Sequence, residues 1–218
     1  MSAALQASLL DLTDDIALGP LGGTVSRQRL TAGAWLDVRR GWLTGADALF
    51  DVLLADVPWR AEEREMYQRV VAVPRLLSFY DEGAPLPHPV LEQARDLLSA
   101  HYADELGEPF RTAGLCLYRD GRDSVAWHGD RIGRGRTEDT MVAILSVGAP
   151  RPLLLRPRPG SAASGGASAG GTLRHNLGHG DLVVMGGSCQ RTWEHAVPKT
   201  GKPVGPRISI QFRPRGVR

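Results

Sequence analysis

Cysteine and lysine are nearly missing from this 218-residue chain, with two of each. Cys116 and Cys189 are too few for a disulfide framework, and neither stands in a CxxC pair that would suggest a structural zinc site. No stretch approaches the ~18 consecutive apolar residues of a membrane span. The N-terminus has neither a basic segment nor a long apolar one, so no secretory leader is expected. These absences point to a reducing, cytoplasmic setting with no membrane partner. A monomer is the expected state. The net charge of +2 is too small to argue for any class of partner.

The hydrophobic and charged contents, 42% and 23%, suit one globular domain large enough to bury a core. Lys199 and Lys202 are the only lysines among 26 basic residues. A GC-rich coding sequence is the simpler account of that excess of arginine, and phosphate contact is the other. Phosphate contact would centre on Arg131, Arg134 and Arg136, or on Arg151, Arg156 and Arg158.

Residues 1–32 show little periodicity and read as a flexible N-terminal arm with a short strand. The rest, 33–218, reads as one domain. Thr44 offers an N-cap for a helix running to about Asp56, which Pro58 ends. Trp59 to Leu77 reads as two strands and a turn. The best helix spans roughly Pro89 to Leu106, with Val90, Leu91, Ala94, Leu97, Leu98 and Tyr102 on one side. Beyond it come short strands parted by Gly and Pro turns, which predict an α+β, mainly β fold. That fold is a double-stranded β-helix (jelly roll) core, 88–218, with buttressing helices, and 33–87 supplies lid strands. Gly160–Gly171 is of low complexity and reads as a flexible loop.

The last ninety residues hold the chemistry. Two histidines and a carboxylate can occupy one face of Fe(II) and leave the other positions open. HxD occurs twice, as His128-Gly-Asp130 and His179-Gly-Asp181. The first closes a strand-like segment, Ser-Val-Ala-Trp127, so both side chains share a face. The other copy reads as a turn entering a strand, where Asp181 would satisfy turn amides. His128 and Asp130 are therefore the candidate ligands, with His195 of Trp193-Glu-His195 as the third. His88, His101 and His175 read as ordinary helix or strand residues. Arg207 and Arg213, six apart on one strand, share a face with Ser209 and Gln211 and could hold a dicarboxylate. Ile208, Ile210 and Phe212 should point the other way, into the sandwich.

The order and spacing of Val73-Pro-Arg-Leu-Leu-Ser-Phe-Tyr80, Leu117-Tyr-Arg-Asp-Gly121, His128-Gly-Asp130, Leu177-Gly-His-Gly-Asp-Leu-Val-Val-Met-Gly186, Trp193-Glu-His195 and Pro206-Arg-Ile-Ser-Ile-Gln-Phe-Arg213 resemble the AlkB family. This is the nucleic-acid-dealkylating branch of the 2-oxoglutarate/Fe(II) dioxygenases. The resemblance implies Fe(II) on His128, Asp130 and His195, with 2-oxoglutarate and O2 as cosubstrates. It implies Arg207 at the far carboxylate of 2-oxoglutarate, supported by Tyr118, and Arg213 near the C1 carboxylate. Cys116 and Ser209 stand where family members usually carry Asn. Arg131-Ile132 stand where some members carry acidic residues that help read the base.

The implied reaction is oxidative dealkylation of N-alkylated bases in DNA, or RNA, releasing formaldehyde while 2-oxoglutarate becomes succinate and CO2. Met66 and Tyr67 fall where duplex-repair members carry a probing hairpin. Arg75, Tyr80, Arg131, Arg134 and Arg136 are further nucleic-acid candidates. Trp59 and Phe79 share the ambiguity of Tyr80 between packing and stacking, and Trp127 reads as wall. A hydroxylase or demethylase of the same chemistry acting on a small molecule or protein side chain is the alternative. Gln6-Ala-Ser-Leu-Leu10 resembles the peptide by which bacterial repair enzymes dock on the sliding clamp.

Overall fold

The computed structural model describes residues 15–66, 69–164 and 171–217, without the side chains of 64–66 and 69–72. The chain begins with β1 (Ala17–Leu18), β2 (Ser26–Arg29), β3 (Ala34–Arg39), β4 (Leu43–Thr44) and helix α1 (Ala46–Asp56). A long hairpin, β5 (Arg60–Met66) and β6 (Arg69–Tyr80), leads to α2 (Pro89–His101) and α3 (Ala103–Leu106). Then follow β7 (Thr112–Tyr118), β8 (Val125–His128), β9 (Val142–Gly148), β10 (Arg151–Pro157), β11 (Leu173–Leu177) and β12 (Asp181–Gly187). A short helix, α4 (Cys189–Thr192), precedes β13 (Trp193–Val197) and β14 (Arg207–Arg213).

Eight strands in the order β2-β3-β12-β9-β14-β7-β6-β5 form a major sheet, and β11-β10-β13-β8 form a minor one. Their inner faces meet in a jelly roll. Val142, Ile144, Val183 and Met185 of the major sheet share a buried cluster with Leu153, Leu155 and Val197 of the minor sheet. The opposite face of the major sheet carries the helices. Leu115, Leu145, Val147, Ile208, Ile210 and Phe212 pack there with Leu49, Leu53, Leu91 and Leu98. The central strands are therefore apolar on nearly every residue, because both faces of the sheet are covered. The apolar side of β14 lies under α1 and α2 and not inside the sandwich, which corrects the expectation from its alternation. Alternation shows that a strand has two faces but not which layer covers each.

Four local features also differ from expectation. Residues 16–29 are not a loose arm. β1 pairs with β4, β2 pairs with β3, and Leu21 is buried. Arg27 grips Asp37 from Nε and Nη2 at 2.8 Å each, and Tyr102 donates to the same carboxylate at 2.9 Å. Residues 1–14, with the clamp-like peptide, lie outside the described residues. Thr44 does not cap α1, because it is paired in β4 and its hydroxyl donates to the Ala17 carbonyl. Gly45 takes the cap position at φ 61, where a Cβ would lie 2.8 Å from the Asp15 carbonyl oxygen.

The second helix breaks at Tyr102, the residue drawn in to Asp37, and Leu97 is exposed. His88 caps α2, its Nδ1 accepting from the Val90 N–H at 3.2 Å. The start of the Gly-rich segment is docked and not free. Ala162–Ser164 form a 3-10 turn, Ala163 is buried, and Ser161 donates to the Thr192 carbonyl at 2.8 Å. Residues 165–170 are outside the description.

Candidate active site

His128 ends β8 and His195 lies directly across from it on β13. Their rings are 4.2 Å apart, centroid to centroid. Asp130, two residues past His128, brings its carboxylate to the same point, and one donor atom from each of the three lies within 4.8 Å of the others. Among the described residues this is the one such cluster of three.

Each ligand is held by a neighbour. His128 Nδ1 is 2.8 Å from the Ala126 carbonyl, so Nδ1 donates and Nε2 is left for a metal. Arg213 Nε donates to Asp130 Oδ2 at 2.7 Å, while Oδ1 stays 3.7 Å from His128 Nε2. Gln190 Oε1 accepts the Asp130 N–H at 2.9 Å. Gly129 fits because a Cβ there would sit 2.4 Å from the Gln190 carbonyl oxygen.

The electrostatics suit a cation. Burial alone would raise the Asp130 carboxyl, but the charge and hydrogen bond of Arg213 overcome it and hold the group well below the usual carboxylate range. Burial pushes His195 down to about 3. Asp130 is thus ionised and His195 neutral, the forms in which these two groups bind a metal.

Beside the triad lies a polar floor made by β14 and β7, paired in register. Arg207 faces Tyr118, Ser209 faces Cys116, and Gln211 faces Gly114. Arg207 is buried, and its Nη2 donates to Ser146 Oγ at 2.8 Å. Its Nε and Nη1 are buried with no partner, and it makes no ion pair among the described residues. A buried guanidinium without a counter-charge is costly, and a carboxylate ligand relieves the cost. Burial pushes the Tyr118 hydroxyl beside it up to about 12, so this residue stays a neutral donor. Gln211 Nε2 donates to Ser209 Oγ at 3.2 Å and meets Cys116 Sγ at 3.3 Å, while Gln211 Oε1 accepts from Arg213 Nη2 at 2.7 Å. A hydrogen-bonded row therefore links the floor to Asp130. An iron ion on the triad and a dicarboxylate on Arg207 both fit these residues.

Ser146 and Gln190 were not among the sequence candidates. Ser146 could have been noticed as the single polar residue of the apolar run Val142–Val147. Gln190 sits in a four-residue helix without periodic signal.

The nucleic-acid candidates scatter. Arg75 is half-buried and donates from Nη1 to the Ser124 carbonyl at 3.2 Å. Tyr80 packs into the helix layer, on the face away from the triad. Phe79, opposite Gly114 in the row that contains Gln211, is the aromatic of this strand on the cavity side, and it is 44% exposed. Arg134 is paired with Glu108 and Glu138. Arg131 and Arg136 have no charged partner among the described residues. The other arginine cluster disperses: Arg151 is buried, Arg156 pairs with Glu194 over Trp127, and Arg158 donates to the Arg191 carbonyl. Met66 lies on β5 with its side chain undescribed, and Tyr67 is outside the description.

The HxD at His179 does structural work. Asp181 accepts from the Gly178 and Gly41 N–H groups at 2.8 and 2.9 Å and pairs with Arg40. His179 Nδ1 accepts the Gly148 N–H at 2.7 Å.

The sequence profile of the 2OG-Fe(II) oxygenase superfamily matches residues 44–213. The human protein named alpha-ketoglutarate-dependent dioxygenase alkB homolog 3 is 32% identical over 219 residues, covering 93% of this chain and 72% of its own. The Arabidopsis thaliana DNA oxidative demethylase ALKBH2 is 33% identical over 135 residues, covering 55% of this chain and 42% of its own. Among solved structures, OsALKBH1 superposes with a TM-score of 0.56 at 14% identity, over 85% of this chain and 100% of that one, a likeness of fold.

Proposed function

The chain belongs to the AlkB family of the 2OG-Fe(II) oxygenase superfamily, and from that premise we propose that it removes alkyl groups oxidatively from N-alkylated bases in DNA. It is a dioxygenase whose reagents are Fe(II), 2-oxoglutarate and O2. When bound, the metal and cosubstrates supply the oxidation of an N-alkyl carbon, 2-oxoglutarate becomes succinate and CO2, and the alkyl carbon leaves as formaldehyde.

In this reading His128, Asp130 and His195 hold the metal. Arg213 fixes which oxygen of Asp130 is presented, and the Ala126 carbonyl fixes which nitrogen of His128 is. Arg207 takes the far carboxylate of 2-oxoglutarate on its two unpartnered nitrogens, with Tyr118 beside it. Ser209, Cys116 and Gln211 line the path between the two ends. A base inside a duplex cannot reach this site, so it arrives flipped out or single-stranded. Phe79, at the cavity's edge, is placed to stack on it, and Arg131 and Arg136 are the uncommitted cations for neighbouring phosphates. Met66, the last residue of β5, and Tyr67, next to it in sequence, take the probing role. No helix among the described residues is long and apolar enough to cross a membrane. A cytoplasmic monomer, docked on a sliding clamp through Gln6–Leu10, completes the proposal.

The observation that carries the reading is the buried fork of Arg207, with Nε and Nη1 unpartnered and no carboxylate partner among the described residues, on the inner face that also holds the triad. The test is formaldehyde release from oligonucleotides carrying 1-methyladenine or 3-methylcytosine, with iron and 2-oxoglutarate. Release should far exceed uncoupled turnover and vanish in His128→Ala. Release no greater than background on every oligonucleotide would move the substrate to a small molecule or a protein side chain.

A further inference from the structure

A cleft of about 440 Å³ opens between the start of β10, β11 and the loop after β13. Four cations line it, Arg151, Arg174, Lys199 and Lys202, and the other walls are four prolines, Thr200 and Val204. No carboxylate is among them. Both lysines of the chain stand here, three residues apart.

The charge of this cleft is not neutralised. Arg151 is 2% exposed and gives its Nη atoms to backbone carbonyls, Asp120 at 3.0 Å, Asp123 at 2.9 Å and Pro198 at 2.7 Å. Its Nε is buried with no partner. The Asp120 and Asp123 carboxylates are turned to Arg122 and Arg119. Lys199, Lys202 and Arg174 make no ion pair among the described residues. Elsewhere Arg27, Arg40, Arg134, Arg156, Arg191 and Arg215 each sit on a carboxylate.

The loop is also fixed in place. The Thr200 N–H donates to the Gly121 carbonyl at 2.8 Å, and a Cβ on Gly121 would lie 2.4 Å from the Thr200 carbonyl oxygen. The Lys202 N–H donates to Thr200 Oγ1 at 3.1 Å. The cleft is separate from the catalytic mouth. Leu155 lies opposite His195 on β10, and Arg151 is four residues further back, on the order of 13 Å along a strand.

We propose that this cleft is a second anion site, taking the phosphodiester backbone of the nucleic-acid substrate away from the flipped base. Three uncompensated cations spread along an open cleft suit a run of phosphates better than a single point anion, and lysine binds phosphate as a mobile point charge. The inference rests on the nucleic-acid reading of the proposed function.

The test is fluorescence anisotropy with a labelled, undamaged single-stranded oligonucleotide of twenty residues, comparing the full chain with Lys199→Ala/Lys202→Ala and with Arg174→Ala. The double variant should bind about tenfold more weakly at low salt, and its slope of log K against log salt should shrink by about 1.4. Its KM should rise on a methylated 20-mer with kcat unchanged, while turnover of a methylated trinucleotide, too short to reach the cleft, should stay the same. Unchanged affinity and slope would overturn the proposal. So would inorganic phosphate competing as well as the oligonucleotide at equal phosphate concentration, which would make the cleft a free-phosphate site. If wild type released no formaldehyde from any methylated oligonucleotide but the variants still lost affinity, the cleft would stand and the dealkylation reading would fall.

Discussion

His128-Gly-Asp130 and His179-Gly-Asp181 have the same three letters and opposite surroundings. In the first, the strand ends on the histidine, both side chains enter the space between the sheets, and a third histidine faces them from the neighbouring strand. In the other, the same side chains are consumed by backbone N–H groups, from Gly148, Gly178 and Gly41, and by Arg40. Isolated donors become a metal site only where the fold leaves their lone pairs unspent and converging. Glycine serves both copies, but in different ways. Gly129 allows close packing against Gln190, whereas Gly180 turns at φ 77 to let a strand begin.

The comparison can be broken most sharply at the ligands. His128→Ala should abolish coupled turnover and Mn(II) binding measured by calorimetry, whereas His179→Ala should keep turnover within about twofold and lose about 1 kcal/mol of stability in urea. If both variants lose activity alike, the division of labour is wrong. Next in size, Arg207→Met should raise the KM for 2-oxoglutarate ~100-fold without lowering the melting temperature, since it removes a buried charge that has no carboxylate partner in the protein. A fall in stability would mean that the fork is structural. Gln190→Leu should weaken metal affinity about 10–100-fold through the Asp130 backbone, read by titration with Mn(II). Asp181→Ala should leave metal and cosubstrate binding intact and cost about 2 kcal/mol by stranding two backbone donors, seen as a shifted urea midpoint.

Much of the site was legible because its residues lie on strands whose alternation assigns faces. The parity of β14 put Arg207, Ser209, Gln211 and Arg213 together, and the strand-like lead into His128 separated the two motifs. Other parts left no trace. Ser26–Arg29, a strand of four exposed polar residues, has no apolar rhythm and is held by the edge of β3 and by Arg27 on Asp37. Gln190 acts through a backbone N–H sixty positions away. Tyr80 and Phe79 are neighbours with equal aromatic credentials. A shift of one residue decides which faces the triad and which faces the helices, and only the register against Ala113 and Gly114 fixes it.

Gly129 carries none of the chemistry and yet sets the spacing of the two groups on either side of it. Any larger residue there would push against α4 and lever the imidazole and the carboxylate apart. In this protein the middle position of the motif therefore acts as a spacer of fixed width, and a methyl group at that point should loosen the grip on the ion while leaving every ligand atom present.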